Sequence, residues 1–270
     1  SPARMLALSI SLLLPSSLAL HLTPALTPRG RASARAGAQP VCVDDKAEVQ
    51  EYFNNEGFNR WNRIYSEDGE VNAVQMDIRT GHAQTVDKIL AWVDADGKES
   101  VSKGTWCDAG CGVGSLALPL AQRGAKVVAS DISEAMATEA SRRAEAAGLG
   151  DKATFTTSDL ESLSGEYDTV SCIDVMIHYP SDKMAGMVSH LASITKERLI
   201  ISFAPDTWYY RGLKRFGELF PGPSKTTRAY LHTEEAVLKA LGEAGFKPAR
   251  TEMTGTNFYF SRLIEAVRAQ

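Results

Sequence analysis

Apolar positions along this chain switch between two periods. Between residues 48 and 65 they recur at helical spacing, with Val49, Tyr52 and Phe53 on one side and then Phe58, Trp61 and Tyr65 after Gly57. Residues 71–93 read as a second helix, in which Val86, Ile89, Leu90 and Val93 follow i, i+3, i+4, i+7. From Lys103 onward, short apolar runs alternate with helical stretches. Strands are expected at 105–108, 126–131, 154–157, 167–173 and 198–203, with helices at 116–123, 133–147 and 181–195 between them. Ser133 is placed to cap the second of these helices, with Glu134 in its first turn. Such alternation calls for a parallel sheet covered on both faces, with ligands bound beyond the carboxyl ends of its strands. The alternation breaks at Ala204. Residues 205–230 form a long aromatic, basic, Pro- and Gly-bearing insert, and connections of that kind are often lids. A helix at 233–244 and strands at 247–254 and 258–267 complete the pattern.

Composition changes this picture at one end. Residues 1–40 carry Arg4, Arg29, Arg31 and Arg35 and no acid, whereas all 33 Asp and Glu lie after them. A short apolar run at 5–14 precedes a Ser-, Thr-, Ala- and Arg-rich stretch at 23–38, the order expected of a two-part plastid-targeting leader. A secretory signal is the alternative, disfavoured by the acid-poor stretch. The organisation expected is leader 1–40, helical cap 41–98 and an alternating α/β domain 99–270. The net charge of −4 hides a still more acidic body, which argues against a nucleic-acid partner. Four cysteines form no C-x-x-C pair and have no histidine at metal spacing, so no metal site is expected.

The chemistry concentrates at Cys107-Asp108-Ala109-Gly110-Cys111-Gly112-Val113-Gly114-Ser115, an acid-x-G-x-G-x-G run between a strand and a helix. Glycines there allow tight turning and close approach of backbone to ligand. Asp131 ends the next strand, where nucleotide-binding α/β folds keep the acid that holds ribose hydroxyls. A dinucleotide fingerprint would put the third glycine one residue later. Asp108 also suits a ligand with an ammonium group. The run resembles the first motif of class I S-adenosylmethionine methyltransferases.

Four further stretches are more specific: Tyr52-Phe53-Asn54-Asn55-Glu56-Gly57-Phe58, Asp174-Val175-Met176-Ile177-His178-Tyr179-Pro180, Phe216-Gly217-Glu218-Leu219-Phe220-Pro221-Gly222-Pro223-Ser224-Lys225 and Phe258-Tyr259-Phe260-Ser261-Arg262-Leu263. They resemble the magnesium-protoporphyrin IX O-methyltransferases across roughly residues 49–268. The resemblance implies a Rossmann-like class I methyltransferase fold with a seven-stranded, mostly parallel sheet. It implies methyl transfer from S-adenosylmethionine to one propionate of Mg-protoporphyrin IX, in a plastid, with peripheral membrane contact and magnesium chelatase as partner. Cofactor contacts are expected at Asp108, Gly110, Gly112, Gly114, Asp131, Ile132, Asp159, Leu160 and Asp174. His178 and Tyr65 are the expected catalytic residues.

Several of these positions have a plainer reading. Asp159 also suits a turn, Asp174 a helix cap, and Tyr65 a packed aromatic. The Asp174–Pro180 stretch lacks the Asn/Asp-Pro-Pro-Tyr/Phe run of enzymes that methylate base amino groups. Trp208, Tyr209, Tyr210, Phe216 and Phe220 are candidates for an apolar porphyrin slot, with Lys214, Lys225 and Arg228 for the spare propionate. Arg79 and His82, one helical turn apart, are candidates to face the site. Competing functions are methylation of another small molecule such as a quinone, and a non-catalytic adenosylmethionine- and porphyrin-binding regulator.

Overall fold

The structure, a computed structural model, describes residues 45–64, 71–208, 210–212 and 230–269. Expectations resting on the leader, on Tyr65, on Tyr209 and on residues 213–229 of the insert lie outside those residues. Helices α1 (Asp45–Asn54), α2 (Glu56–Ile64), α3 (Ala73–Asp96) and α4 (Lys98–Lys103) precede the alternating part. There follow β1 (Thr105–Ala109), α5 (Ala117–Gln122), β2 (Lys126–Asp131), α6 (Glu134–Ala146), β3 (Ala153–Thr157), β4 (Tyr167–Cys172), α7 (Ser181–Ser193) and β5 (Thr195–Phe203). Helix α8 (Glu234–Glu243) and strands β6 (Phe246–Gly255) and β7 (Phe260–Arg268) close the chain.

The strands form one sheet in the order β3-β2-β1-β4-β5-β7-β6. Strands β1 to β5 are parallel, and β7 runs antiparallel between β5 and β6. Period-two alternation sorts the side chains onto two faces. Cys107, Ala109, Leu199 and Ile201 point into one buried cluster with residues of α7 and α8. Trp106, Val127, Ala129 and Ile200 point into the other, with residues of α3 and α5. Both faces are therefore apolar, which is why these strands read as near-continuous hydrophobic runs.

Three local details depart from the sequence reading. The helix expected at 48–65 is two helices. The Asn55 side chain donates to the Glu51 carbonyl at 2.9 Å, satisfying a terminal acceptor of α1 and letting the chain turn into α2. Strand β5 starts at Thr195 rather than at Arg198. Helix α4 was not foreseen; Gly97, at φ 87°, ends α3 and lets six residues form a separate turn of helix. The expected cap at Ser133 is present, its side chain accepting from the Met136 N–H. Helix α3 opens on a capping box between Asn72 and Gln75.

Candidate active site

The glycine run turns the chain from β1 into α5. Gly110, at φ 80°, and Cys111 both donate their N–H to the Ser130 carbonyl at the end of β2, at 2.8 and 2.9 Å. The Gly112 N–H donates to Asp131 Oδ2 at 2.8 Å, and the Ser133 N–H donates to Oδ1 at 2.9 Å. One acid thus locks the glycine loop to the start of α6. A Cβ on Gly112 would meet nothing within 4 Å beyond its chain neighbours, and Gly112 lines a cavity. The space beside it is open to a ligand.

Asp108 is 2% exposed. Ser171 Oγ donates to its Oδ1 at 2.7 Å, while Oδ2 is buried with no partner. Burial pushes its carboxyl up to about 6, against the hydrogen bond from Ser171 that lowers it. A buried carboxylate oxygen without a donor is costly, and a cationic ligand group would satisfy it. The open space at Gly112 and this orphaned oxygen both fit adenosylmethionine, whose amino-acid end carries an ammonium.

Linkage makes that fit measurable. A neighbouring ammonium favours the ionised form, so binding lowers the pKa of Asp108 and releases a proton near pH 6. Affinity therefore rises with pH through that value. Adenosylhomocysteine should bind about tenfold more weakly at pH 5 than at pH 7 if the bound pKa falls below 5, and weaken again above about pH 8 as its amine loses charge. Calorimetry in two buffers of different ionisation enthalpy checks both the trend and the released proton. A pH-independent affinity from 5 to 7 would remove Asp108 from the ammonium site.

The other expected cofactor positions separate on inspection. Ile132, Ser158 and Leu160 line the cavity with Asp108 and Asp131. Asp159 caps a short 3₁₀ turn instead: the Ser162 N–H donates to its Oδ1 at 3.0 Å and Ser162 Oγ to its Oδ2 at 2.8 Å. The turn reading describes the geometry of its carboxylate. Gly114, at φ 87°, donates to the Cys111 carbonyl and shapes the turn from within.

Asp174 differs from expectation in a more consequential way. It lines the cavity, but its oxygens are committed to protein donors rather than left for a cofactor. His82 Nδ1 lies 2.8 Å from Oδ2, the Tyr259 hydroxyl donates to Oδ2 at 2.8 Å, and Ser202 Oγ donates to Oδ1 at 2.9 Å. Burial acts to raise the carboxyl pKa, yet the hydrogen bond and charge of His82 and the other donors hold it below the usual carboxylate range. These bonds also fix Asp174 at φ 59°, a conformation a non-glycine residue rarely keeps unaided. With Asp174 ionised, His82 donates from Nδ1, and its Nε2 meets Ser115 Oγ at 2.8 Å. The chain Ser115–His82–Asp174–Tyr259 thus ties the glycine loop to the end of β4 and the start of β7. His82 faces the site; Arg79 does not line it, and its guanidinium donates to the Arg63 carbonyl near the end of α2.

Helix α3 reaches this network only because residue 81 is glycine. A Cβ there would lie 2.3 Å from Tyr259 Cδ1. Gly81→Ala should therefore displace the Tyr259 ring and destabilise the fold by about 1–3 kcal/mol, read as a lower denaturation midpoint. An unchanged midpoint would mean that α3 shifts freely and the network is loose.

His178 ends a 3₁₀ turn, Met176–His178, and Tyr179, the residue before Pro180, is extended, as the proline ring favours. Its ring stands edge-on to Phe53, centroids 5.2 Å apart, and its Nδ1 is buried without a partner. Burial depresses its pKa to about 4, so the imidazole is neutral at pH 7. The turn is held from the insert side. His232 Nε2 donates to the Met176 carbonyl at 2.9 Å, and the Tyr230 N–H donates to the Ile177 carbonyl at 2.8 Å. The described ends of the insert meet there, since the His232 N–H donates to the Ala204 carbonyl and the Asp206 N–H to the His232 carbonyl. Trp208 is 84% exposed, and the Tyr210 ring packs 4.2 Å from that of Phe260.

The cavity so bounded measures about 290 Å³. The acids Asp108, Asp131 and Asp174 line it together with the apolar side chains of Phe53, Trp61, Ile78, Phe258 and Phe260. Cys107, Cys111 and Cys172 are buried free thiols beneath the loop, and burial pushes the Cys107 thiol up to about 12, out of reach of reaction.

Comparison with known proteins agrees with this geometry. Residues 172–268 match the family described as magnesium-protoporphyrin IX methyltransferase C-terminus, and residues 107–198 match a methyltransferase domain. The magnesium-protoporphyrin O-methyltransferase of Synechocystis is 57% identical over 230 residues, which is 85% of this chain and 99% of that one. The chloroplastic magnesium protoporphyrin IX methyltransferase of Arabidopsis thaliana is 55% identical over 231 residues, 85% of this chain and 73% of that one. The crystal structure of magnesium protoporphyrin IX methyltransferase from Synechocystis with bound SAH superposes with a TM-score of 0.77 at 55% identity, covering 83% of this chain and all of that one. The glycine loop over Asp108 and Asp131, the seven-stranded sheet and the match to these relatives over most of the chain make it a member of the magnesium-protoporphyrin IX O-methyltransferase family, and an S-adenosylmethionine-dependent methyltransferase.

Proposed function

We propose that this cavity performs methyl transfer to one propionate carboxylate of Mg-protoporphyrin IX, giving the monomethyl ester of chlorophyll synthesis. The observation that carries the reading is the neutral, half-buried His178, whose Nδ1 has no partner, lining one cavity with the acids Asp108, Asp131 and Asp174 and with the aromatic rings of Phe53 and Trp61. A carboxyl group with a pKa of about 4.3 is already ionised at neutral pH, so no base is needed to make the nucleophile. Adenosylmethionine supplies an electrophilic methyl on a sulfonium. The chain's own residues have three tasks. Asp108, Asp131 and the glycine loop hold the cofactor. His178 hydrogen-bonds the reacting carboxylate and fixes its direction. The aromatic wall excludes water, leaving the carboxylate less solvated and better aligned.

The remaining parts of this reading rest on kinship and on the leader. Plastid residence follows the chloroplastic relative and the acid-free residues 1–40. Among the described residues no helix is long and apolar enough to cross a membrane. Peripheral contact with plastid membranes and contact with magnesium chelatase are proposed from the family resemblance alone. Tyr65 is proposed to place its hydroxyl in the active site, and residues 205–230 to cover the bound porphyrin. Asp174, whose oxygens are taken, supports the site by holding His82 and Tyr259.

A competition assay tests the substrate. Equal concentrations of Mg-protoporphyrin IX and a quinone-precursor phenol, with one labelled adenosylmethionine pool, should leave the label on the porphyrin. Label on the phenol would favour the quinone reading, and binding of both ligands with no turnover would favour a regulator.

A further inference from the structure

Arg60 is the one Lys or Arg among the described residues that lines the cavity. It stands on α2, next to Trp61. Its guanidinium sits over the Trp61 ring, Cζ 5.8 Å from the centroid, and its Nε is buried with no hydrogen-bond partner. Burying a guanidinium N–H without an acceptor is costly, so the site is short of an anion at this point. The rings between Arg60 and His178 are continuous. Trp61 lies 6.4 Å from Phe53, and Phe53 lies 5.2 Å from His178. A cation and a neutral imidazole thus stand at the two ends of one aromatic wall.

The proposed substrate is a flat apolar disc with two anionic arms, only one of which reacts. Its face matches the wall, and its arms match the two ends. We infer that Arg60 binds the unreacted propionate of the porphyrin, and so selects a dicarboxylate over a diester. Arginine suits this role, because its planar fork pairs with a carboxylate through two parallel hydrogen bonds. The assignment also explains how a monoester forms: with one arm clamped at Arg60, only the other reaches His178. It rests on the proposed function, because it names the second contact of that same substrate. It differs from the sequence expectation, which placed this cation at Lys214, Lys225 or Arg228.

The test compares wild type, Arg60→Gln and Arg60→Lys by fluorescence titration with Mg-protoporphyrin IX and with its dimethyl ester. Adenosylhomocysteine calorimetry runs beside it as a check on folding and on the cofactor site. Wild type should bind the diacid about tenfold or more tightly than the diester. Arg60→Gln should lose that preference through weaker diacid binding, with diester and adenosylhomocysteine affinities unchanged, and Arg60→Lys should restore part of it. Equal diacid affinity in wild type and Arg60→Gln would overturn the inference. So would a selective loss of adenosylhomocysteine binding, which would assign Arg60 to the carboxylate of the cofactor. If wild type binds neither porphyrin, the proposed function itself fails, and that result is distinct from both.

Discussion

Gly112→Val should abolish detectable adenosylhomocysteine binding, an expected loss of about 100-fold or more, while the sheet remains folded. The position has two constraints. Its φ of 52° disfavours a β-branched residue, and its missing Cβ faces the cavity rather than protein. A valine would fill the place where ligand approaches the backbone and would also disturb the N–H that donates to Asp131 Oδ2 at 2.8 Å. Because nothing beyond its chain neighbours lies within 4 Å of that Cβ, the damage is local. Calorimetry with adenosylhomocysteine, paired with circular dichroism, reads both parts. Near-normal binding by a folded Gly112→Val protein would show that the ligand does not approach this loop.

His178→Ala should reduce turnover by ~10²-fold or more through lost orientation of the carboxylate, with cofactor affinity little changed. His178→Gln, which keeps a hydrogen-bond donor but cannot take up a proton, should recover part of the activity. The neutral ring explains the expectation. Burial holds its pKa at about 4, below the unfolded value near 6.5. Its neutral form therefore stabilises the fold above pH 6.5, and that contribution is lost as pH falls toward 4. The activity and stability limbs overlap on the acid side, so the side-chain series is more decisive than a pH profile. A folded His178→Gln protein as inactive as His178→Ala would make the histidine an obligatory base.

What the sequence showed and what it hid divide along a physical line. The alternating strands, the Ser133 cap and the glycine loop over Asp131 depend on residues close in the chain, where spacing and propensity act directly. The Asp174 network does not. Its partners His82 and Tyr259 stand 92 and 85 residues away, and only the packing of α3 on the β6–β7 hairpin brings them together. A glycine beside a histidine in mid-helix, Gly81-His82, was the available signal, since glycine there costs about 1 kcal/mol and implies a close approach. Asp159 illustrates the converse. An acid after the third strand suits both a cofactor contact and a turn, and its partner Ser162 is only three residues away. Arg60 was hidden because its significance lies in a missing partner, which no linear pattern reveals.

The central claim is that a porphyrin propionate oxygen receives the methyl group. Mass spectrometry of the product formed with CD₃-labelled adenosylmethionine tests it most directly, using Mg-protoporphyrin IX and its dimethyl ester as alternative substrates. One CD₃ group is expected on the diacid, released by mild base as from an ester, and none on the dimethyl ester. A base-stable label, or label incorporated into the dimethyl ester, would contradict it.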